Sequence, residues 1–564
     1  MTTPSRLAIV AALLVAISIL PSAADTPVPV RKAVEAKNSM VVCVSPPAAD
    51  VGVAILKKGG SAVDAAVAVA LAMAVTWPEA GNIGGGGFMM VAPPGKEPTC
   101  IEYRETAPAA ATPDLFATGK VGPFDHKATG VPGTVRGLAL AHAKFGKLAW
   151  KNVTAPAAAL ATDGFTVNAA LAGRLNGVLD SAATTNAEFK RVYGKPGGGA
   201  WQAGDTLVLK DLGRTLTRIA DHGPEAYYTG ELADLLDKEM RAGGGLVTKA
   251  DLAAYRAKER VPVHTTYRGY DVYGPPPPSS GGIGLAEMLN ILECFDLKTP
   301  GRWSPEVAHR MIEAMKRAYA DRARYLGDPD FVTIPPHLVT KEYAKKLAAG
   351  IDPAKATPSD TLAPEIALDA VGDSTTHFSI IDNDGMAVSN TYTLENAFGN
   401  RVVVRGAGYI LNNEMTDFNP RPGVTTRSGL IGTKPNRVAP GKRMLSSQAP
   451  TIVLKGGKPV LVTGSPGGRT IINTVLCVVV NVIDFDMPVE AAVAAPRWHH
   501  QWLPDVARFE GVKEYPELVA RLKAMGHVVG GARQGDAHSI GIDLKTGVYR
   551  GAADTRIDGK AAGY

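Results

Sequence analysis

The feature that most constrains the fold is a change of pattern across a polar, proline-bearing stretch at residues 351–374. Helical patterns dominate from about residue 48 to 350. They include an alanine-rich run at residues 60–75 and a run at 304–324 that opens with a serine cap and a first-turn proline. After residue 375, β-branched and polar residues alternate between Gly and Asn turns, a pattern typical of antiparallel hairpins. With no internal repeat, the chain predicts an α+β protein with an exposed linker before its hairpin-rich part.

The first predicted hairpin turns through Asn383-Asp384-Gly385. A three-residue loop that ends in glycine suits a hairpin that needs a left-handed residue there. If the strands pair symmetrically about Asp384, Thr375 lies opposite Thr393. A bulge would shift this pairing by about one position, so two threonine hydroxyls are expected to meet at the open end of the hairpin.

The second predicted hairpin joins residues 451–455 and 458–463 through a pair of glycines, a strong signal for a two-residue turn. Its outer ends lead to Ser446-Ser447 on one side and to Gly467-Gly468 on the other. An apolar run at residues 469–483 follows and predicts a helix. Two glycines at a strand-to-helix junction present backbone N–H groups at the positive end of a helix, which suits an oxyanion.

The N-terminus indicates export. Arg6 precedes an apolar run at residues 7–20, and small residues lead up to Ala24. This is the pattern of a signal peptide, predicted to span residues 1–24. A membrane anchor is the alternative, but fourteen residues rise only about 21 Å as a helix, against a hydrocarbon core of roughly 30 Å. Residues 475–483 are interpreted as a buried helix, so the mature chain is expected to be soluble, without a stable membrane anchor, and periplasmic or extracellular.

Composition excludes some partners. The 60 basic and 54 acidic residues are scattered, which argues against nucleic acid. The four cysteines, Cys43, Cys100, Cys294 and Cys477, lie far apart and allow one or two disulfides in an oxidising compartment, with the pairing left open. No metal-ligand spacing is present, so neither a metal nor another cofactor is predicted.

Thr375 needs a base before its hydroxyl can act as a nucleophile. If the chain is cut between Ser374 and Thr375, the new α-amino group serves as that base, since its reference pKa near 8 leaves a neutral fraction at neutral pH. The Thr375 hydroxyl can make this cut by attacking the preceding carbonyl, with water resolving the ester. Taken alone, the segment Ser374-Thr375-Thr376-His377 indicates only the start of a strand, and His377 is interpreted as a structural residue.

The wider sequence resembles the γ-glutamyltranspeptidase family of N-terminal-nucleophile hydrolases through nearly the whole mature chain. The motifs that carry the resemblance, in the family's order and close to its spacing, are Gly81-Asn-Ile-Gly-Gly-Gly-Gly-Phe88, Tyr103-Arg104-Glu105, Pro277-Pro-Ser-Ser-Gly-Gly282, Tyr325-Leu-Gly-Asp-Pro-Asp330, Ser374-Thr-Thr-His-Phe378, Thr391-Tyr-Thr-Leu394, Leu411-Asn-Asn-Glu-Met415, Leu445-Ser-Ser447, Thr463-Gly-Ser-Pro-Gly-Gly468 and His499-His-Gln-Trp-Leu-Pro504.

The resemblance implies a four-layer αββα sandwich and an autocleaved heterodimer, with a large subunit at residues 25–374 and a small one at 375–564. It implies that Thr375 is the nucleophile, that Thr393 activates it, and that Gly467 and Gly468 form the oxyanion hole. The implied substrates are glutathione and other γ-glutamyl compounds, with amino-acid or dipeptide acceptors. The implied contacts to the γ-glutamyl α-groups are Arg104, Ser446 and Ser447 for the carboxylate, and Glu414 and Asp417 for the ammonium.

Two positions depart from the family pattern. Glu395 replaces an asparagine found beside the bound glutamyl group in many relatives, which adds negative charge near the ammonium. In the predicted lid at residues 420–436, Ser428 replaces an aromatic residue found in several bacterial members. A looser gate would favour water over an acceptor amine.

Two other functions remain open. A cephalosporin or glutaryl acylase shares the fold and the nucleophile, but its substrate lacks the ammonium that Glu414 and Asp417 would hold. An unprocessed binding protein is the second alternative, against which the retained Thr375 and Thr393 argue.

Three further motifs are given structural interpretations. The glycines at residues 81–88 resemble a dinucleotide loop but lack its strand-turn-helix unit and acidic partner. His499 and His500 lack further ligands at metal-binding spacing and are expected to pack in the interior. The loop at residues 277–280 is expected to line the cavity.

Overall fold

The computed structural model describes residues 27–181, 186–366 and 375–564. The predicted signal peptide and Ser374 lie outside these ranges. The strands are β1 (Val34–Ala36), β2 (Met40–Cys43), β3 (Gly86–Ala92), β4 (Thr99–Glu102), β5 (Phe165–Thr166), β6 (Thr206–Leu207), β7 (Lys258–Arg260), β8 (Val263–Tyr267), β9 (Tyr270–Gly274), β10 (Thr376–Ile381), β11 (Ala387–Thr393), β12 (Thr451–Lys455), β13 (Lys458–Thr463), β14 (Trp498–His499), β15 (Ala507–Phe509), β16 (Val529–Gly531), β17 (His538–Ile542), β18 (Tyr549–Ala553) and β19 (Lys560–Gly563).

The α-helices alternate with these strands and are concentrated before residue 375. They are α1 (Pro46–Lys57), α2 (Ala62–Thr76), α3 (Thr134–Phe145), α4 (Trp150–Asp163), α5 (Ala169–Asp180), α6 (Ala187–Tyr193), α7 (Lys210–His222), α8 (Glu225–Tyr228), α9 (Gly230–Gly243), α10 (Lys249–Ala254), α11 (Gly281–Leu292), α12 (Pro305–Tyr325), α13 (Lys341–Ala349), α14 (Ser359–Leu362), α15 (Ile471–Ile483), α16 (Val489–Ala494) and α17 (Pro516–Ala524).

Two seven-stranded antiparallel sheets form the centre of the molecule. One has the order β19-β2-β10-β11-β3-β4-β7, and the other has the order β1-β18-β17-β13-β12-β9-β8. Both sheets contain strands from before and after residue 375; β10 and β11, for example, lie between β2 and β3. A cut before Thr375 would therefore leave the two pieces held together by shared sheets.

The sheets stack face to face, and helices cover both outer faces. Along β2, Met40 and Val42 point into a core between the two sheets, whereas Val41 and Cys43 point into a second core shared with α1 and α2. The other sheet packs its outer face against α11, α12 and α15. The period-two alternation of a strand thus supplies apolar side chains to both faces, and the predicted four-layer αββα sandwich is confirmed.

Both predicted hairpins are present. In the first, Thr376 pairs with Tyr392 and Ile381 with Ala387, the symmetric register predicted about Asp384, and Gly385 has a φ of 83°. In the second, Gly456 and Gly457 have φ values of 57° and 75°, so both turn residues are left-handed. Every residue of β10 and β11 is buried. Two polar members of the pattern bond to the other sheet, since the Ser379 hydroxyl donates to the His538 carbonyl and the Ser389 hydroxyl to the Thr463 carbonyl, each at 2.8 Å.

The helix predictions are confirmed with small shifts of boundary. The alanine-rich run forms α2, whose N-terminus carries a reciprocal cap between Ser61 and Asp64, and every residue of α2 is buried. Helix α12 begins after Ser304, whose hydroxyl accepts from the Val307 amide at 3.2 Å. The apolar run after Gly468 starts with a short 3₁₀ turn and continues as α15.

Two findings bear on the predicted compartment. Among the described residues, no helix combines the length and the apolar character that crossing a bilayer requires. The four cysteines are unpaired, and of these only Cys294 is exposed.

Candidate active site

Thr375 lies immediately before β10, at the open end of the first hairpin. Because Thr376 pairs with Tyr392, the next positions outward on the two strands are Thr375 and Thr393. The Thr393 hydroxyl accepts a hydrogen bond from the Glu395 amide at 2.8 Å, and the Thr393 carbonyl accepts from the Asn82 side chain at 2.9 Å. Thr393 is thereby fixed on both sides, with its hydroxyl proton directed away from the Glu395 amide.

The glycine-rich segment before β3 packs closely against Thr393 at the end of β11. A Cβ at Gly85 would lie 2.0 Å from the Thr393 carbonyl oxygen, so a side chain there would displace the end of β11. The amide of Gly85 also donates to Asn82 at 2.9 Å, the same asparagine that holds Thr393. These glycines serve close backbone packing.

Gly467 and Gly468 connect β13 to α15. Gly467 has a φ of 125° and Gly468 a φ of 53°, conformations that L side chains rarely adopt. Gly467 lines the same cleft as Thr375. Among the described residues, neither glycine amide donates a hydrogen bond within the protein. A free backbone amide in the cleft that also holds a hydroxyl nucleophile suits an oxyanion.

Arg104 is the centre of a buried charge cluster. It follows β4, is 1% exposed, and bonds to Glu414 at 2.5 Å as well as to Asp417. Its Nε donates to the Met444 carbonyl at 3.3 Å. The structure thus brings together the predicted carboxylate ligand and both predicted ammonium ligands, which pair with one another.

A further carboxyl in this cluster was given no role by sequence reasoning. Glu105 is fully buried, and its Oε2 lies 3.6 Å from Arg104. Burial, opposed by the charge of Arg104, raises the pKa of Glu105 to about 8. Burial also raises the pKa of Glu414 well above its ordinary value, although Arg104 lowers it. The only signal in the sequence was the position of Glu105 next to Arg104.

Glu395 adds a further carboxyl close enough to act on Glu414. It is 9% exposed with a φ of 77°, an unusual conformation for a residue with a side chain. Its carboxylate accepts a hydrogen bond from Asn413, which also accepts from the Asn396 amide at 3.0 Å. The left-handed turn at Glu395 directs the chain away from β11 beside the predicted glutamyl site.

Ser446 and Ser447 follow Met444, whose carbonyl accepts from Arg104, but their own hydrogen bonds form a separate network. The Ser446 carbonyl accepts from the amide and the hydroxyl of Ser280 at 2.8 and 2.6 Å, and the Ser447 hydroxyl accepts from Arg322 at 3.0 Å. In the ranges that the structure describes, no hydrogen bond joins Arg104 to either serine. The loop at residues 277–280 holds this serine segment, and it contributes no lining residue to the two cavities described next.

Two cavities are lined by residues of the predicted site. The first, of about 640 Å³, is lined by Glu395, Asn396, Asp417 and Arg469, with apolar walls from Phe116, Phe418, Leu430 and Ile431. The second, of about 290 Å³, is lined by Thr375, Thr376, Ala397, Pro466 and Gly467, and its further lining includes Trp77, Glu79, Arg174, Arg533 and Asp536. We call them the acid cavity and the threonine cavity.

The predicted lid closes one side of the acid cavity. Thr426, Leu430 and Ile431 line it, and Arg469 donates to the Gly429 carbonyl at 2.5 Å. The Ser428 hydroxyl lies 3.2 Å from that of Thr426. Arg469, which was not predicted from the sequence, therefore anchors the lid.

His499 has a structural environment, and one group of buried side chains has the spacing of metal ligands. His499 is buried and bonds to Asn473 at 2.8 Å and Gln501 at 3.0 Å, and burial lowers its pKa to about 3. His309, Glu313 and His527 bring ligand atoms within 4.8 Å of one another. However, Glu313 is paired with Arg317 at 2.5 Å and lies 3.6 Å from Lys316. Its negative charge is therefore already balanced by two cationic side chains.

His377 also has a structural role. It bonds to the Thr391 hydroxyl at 2.8 Å and to the Ser379 hydroxyl at 3.1 Å, between the sheets. Burial lowers its pKa well below the ordinary value, so it remains neutral.

Comparison with known proteins gives a consistent picture. Residues 48–564 match the family described as Gamma-glutamyltranspeptidase. The chain is 48% identical over 541 residues to the glutathione hydrolase proenzyme of Escherichia coli K12, which covers 94% of this chain and 93% of that protein.

Solved structures include relatives of two kinds. A cephalosporin acylase from Bacillus halodurans aligns with a TM-score of 0.84 at 29% identity, over 97% of this chain and 99% of that one. A γ-glutamyltranspeptidase chain from Helicobacter pylori aligns with a TM-score of 0.55 at 40% identity, over 56% of this chain and 93% of that one.

Proposed function

Because the chain belongs to the γ-glutamyltranspeptidase family, we propose that it cuts itself before Thr375 and then transfers γ-glutamyl groups from glutathione-like donors to amino acids, dipeptides or water. The observation that carries this proposal is the buried cluster of Arg104, Glu414 and Asp417 at the edge of the acid cavity. That cluster contains partners for both charged α-groups of a γ-glutamyl donor.

Maturation is the first step. The Thr375 hydroxyl attacks the Ser374 carbonyl carbon, the peptide C–N bond breaks, and an ester joins Ser374 to the Thr375 oxygen. Water then hydrolyses the ester, which leaves a carboxylate on Ser374 and a free α-amino group on Thr375. The products are the subunits 25–374 and 375–564, which interleaved strands keep together.

Acyl transfer uses the same hydroxyl. The α-amino group of Thr375 accepts the hydroxyl proton, and Oγ attacks the γ-carbonyl carbon of the donor. Thr393, held by its bond from the Glu395 amide, positions the attacking oxygen. The amides of Gly467 and Gly468 stabilise the oxyanion, for which one such donor contributes about 3–4 kcal/mol. The leaving amine takes the proton, and the γ-glutamyl group remains as an ester on Thr375.

Donor recognition follows from the charge balance of the cluster. Arg104 is one cation among four carboxyl groups, those of Glu105, Glu395, Glu414 and Asp417. On donor binding, the α-carboxylate takes the Arg104 guanidinium, with Ser446 and Ser447 as further donors, and the released Glu414 and Asp417 take the α-ammonium. Because Glu414 and Asp417 both pair with Arg104, a donor that brings a carboxylate and an ammonium replaces both pairs, whereas a simple anion would leave the two acids without a cation.

The acylase function is the second candidate, favoured by the alignment with the cephalosporin acylase. Its glutaryl substrate carries the carboxylate but no ammonium, so Glu414 and Asp417 would oppose it. An unprocessed binding protein would not need Thr375 beside Thr393 or the two free amides of Gly467 and Gly468.

A matched pair of substrates tests the proposal. γ-Glutamyl-p-nitroanilide and glutaryl-p-nitroanilide differ only in the α-ammonium. The purified two-subunit protein is expected to cleave the γ-glutamyl compound with the higher kcat/KM. Faster cleavage of the glutaryl compound would favour the acylase, and cleavage of neither would refute acyl transfer altogether.

The compartment is part of the proposal. Residues 1–24 act as a signal peptide, and the mature enzyme works in the periplasm or outside the cell. Cell fractionation followed by activity assay of each fraction checks this, and activity confined to the cytosol would contradict it.

A further inference from the structure

The two cavities meet along one ridge. Glu395 and Asn396 line the acid cavity, whereas Ala397, the next residue, lines the threonine cavity. The segment before α15 also lines both cavities. Pro466 and Gly467 line the threonine cavity, and Arg469 lines the acid cavity. A carbonyl carbon bound at Thr375 and polarised by Gly467 therefore sits where the cavities join.

This arrangement separates the two halves of a γ-glutamyl amide. The acyl half carries the α-groups, so it extends from the ridge into the acid cavity toward Asp417. The amine half lies on the other side of the carbonyl carbon. The cavity on that side is the threonine cavity, and its volume of about 290 Å³ suits an amino acid or a dipeptide rather than a larger ligand.

The lining of the threonine cavity carries charges of both signs. Arg174 on α5 lies 3.4 Å from Glu79, which follows α2. The Arg174 side chain is 45% exposed and that of Glu79 12% exposed, so the pair is reached from the cavity. Trp77 and Ile557 add apolar lining to the same cavity, and Arg533 and Asp536 add two further charged side chains.

We propose that the threonine cavity is the acceptor subsite, in which Arg174 binds the carboxylate and Glu79 the amino end of an amino-acid or dipeptide acceptor. This inference rests on the proposed function and adds to it the residues that select the acceptor. Both residues belong to the large subunit, whereas the nucleophile belongs to the small one, so the acceptor binds across the cleavage products.

The second half-reaction transfers the acyl group from Thr375 to the acceptor nitrogen. The acceptor nitrogen forms a bond to the acyl carbon of the Thr375 ester, and the bond from that carbon to Thr375 Oγ breaks. The proton lost by the amine goes to Oγ by way of the Thr375 α-amino group. The carboxylate of Glu79 keeps the acceptor nitrogen directed at the ridge before that proton leaves, and burial raises the pKa of Glu79 while Arg174 lowers it.

The test is the ratio of transfer to hydrolysis. The mature enzyme is given γ-glutamyl-p-nitroanilide with increasing glycylglycine, and γ-glutamyl-glycylglycine and free glutamate are quantified by chromatography. Arg174→Met is expected to lower the ratio about tenfold at low glycylglycine and to raise the KM for glycylglycine, since a hydrogen bond to a charged group is lost. Glu79→Gln should change the ratio in the same direction, and Arg174→Lys should recover part of it.

The ratio is measured within one sample, so a variant that yields less active protein still gives a valid result. Arg218→Met is the control, because Arg218 is 43% exposed and paired with Glu231 but lies on α7, outside both cavities. A ratio in Arg174→Met equal to that of the control would overturn the acceptor assignment while the donor chemistry stood. Wild-type enzyme that released no p-nitroaniline would overturn the proposed function, and the acceptor subsite with it.

Discussion

Asp417→Asn separates the proposed function from its nearest alternative. Asp417 bonds to Arg104, and its side chain is 25% exposed toward the acid cavity. The amide keeps the size of the side chain and removes its negative charge. The proposed donor loses one charged partner for its ammonium, whereas a glutaryl substrate, which has no ammonium, loses one repulsive carboxylate.

The two substrates should therefore respond with opposite signs. A hydrogen bond to a charged group contributes about 1.5–3 kcal/mol, and about 1.4 kcal/mol corresponds to a tenfold change in an equilibrium constant. Asp417 is partly solvated, and Glu414 remains as a second partner, so the lower limit applies. We expect kcat/KM for γ-glutamyl-p-nitroanilide to fall about tenfold, mainly through KM.

For glutaryl-p-nitroanilide, kcat/KM should stay the same or rise. The control is Asp211→Asn, because Asp211 is also a largely buried acid paired with arginines, with 16% exposure, and lies outside both cavities. An equal loss for both substrates in Asp417→Asn would refute the assignment of Asp417 to the ammonium and indicate a structural role.

Three further predictions concern the nucleophile, the oxyanion hole and the buried charge cluster. Thr375→Ala should remove both the internal cut and the activity, and a cut chain seen by gel electrophoresis would place the nucleophile elsewhere. Gly467→Ala should lower kcat by about 10²–10³, because the new Cβ would lie 2.5 Å from Thr470 Oγ1 and the φ of 125° is unfavourable; an unchanged kcat would exclude the Gly467 amide from the oxyanion hole. Glu105→Gln should become progressively more stable than wild type between about pH 4.5 and 8, because a buried acid with a pKa raised to about 8 costs stability once the unfolded chain ionises there. Thermal unfolding at pH 5, 7 and 9 measures this difference, and a constant offset would show that Glu105 does not titrate in this range.

Local structure was predictable from the sequence because it depends on short-range chemistry. The loop that ends in Gly385 sets a symmetric register, and that register alone brings Thr375 and Thr393 together. The pair Gly456-Gly457 likewise determines the second hairpin. Backbone conformations that only glycine tolerates leave a clear signal in one sequence.

Long-range arrangements left no such signal. Nothing in the residues of β10 and β11 indicates that β2 and β3 flank them, since strand pairing across hundreds of residues depends on the whole core. The positive φ of Glu395 could not be predicted from the sequence either, because a non-glycine residue adopts a positive φ only when its surroundings impose it.

The cluster of Arg104, Glu414 and Asp417 shows most clearly which contacts could not be predicted from the sequence. The family resemblance assigned Arg104 to one substrate group and Glu414 and Asp417 to the other, but their direct pairing in the absence of substrate follows only from the folded positions. The contacts of Ser446 and Ser447 with the donor stay a prediction.

Mass spectrometry of the mature protein tests the central claim most directly. Two polypeptides should be found, one that begins at Asp25 and ends at Ser374 and one that begins at Thr375 and ends at Tyr564. An undivided polypeptide that still releases γ-glutamyl groups would contradict the account, because its Thr375 would have no α-amino group to accept the hydroxyl proton.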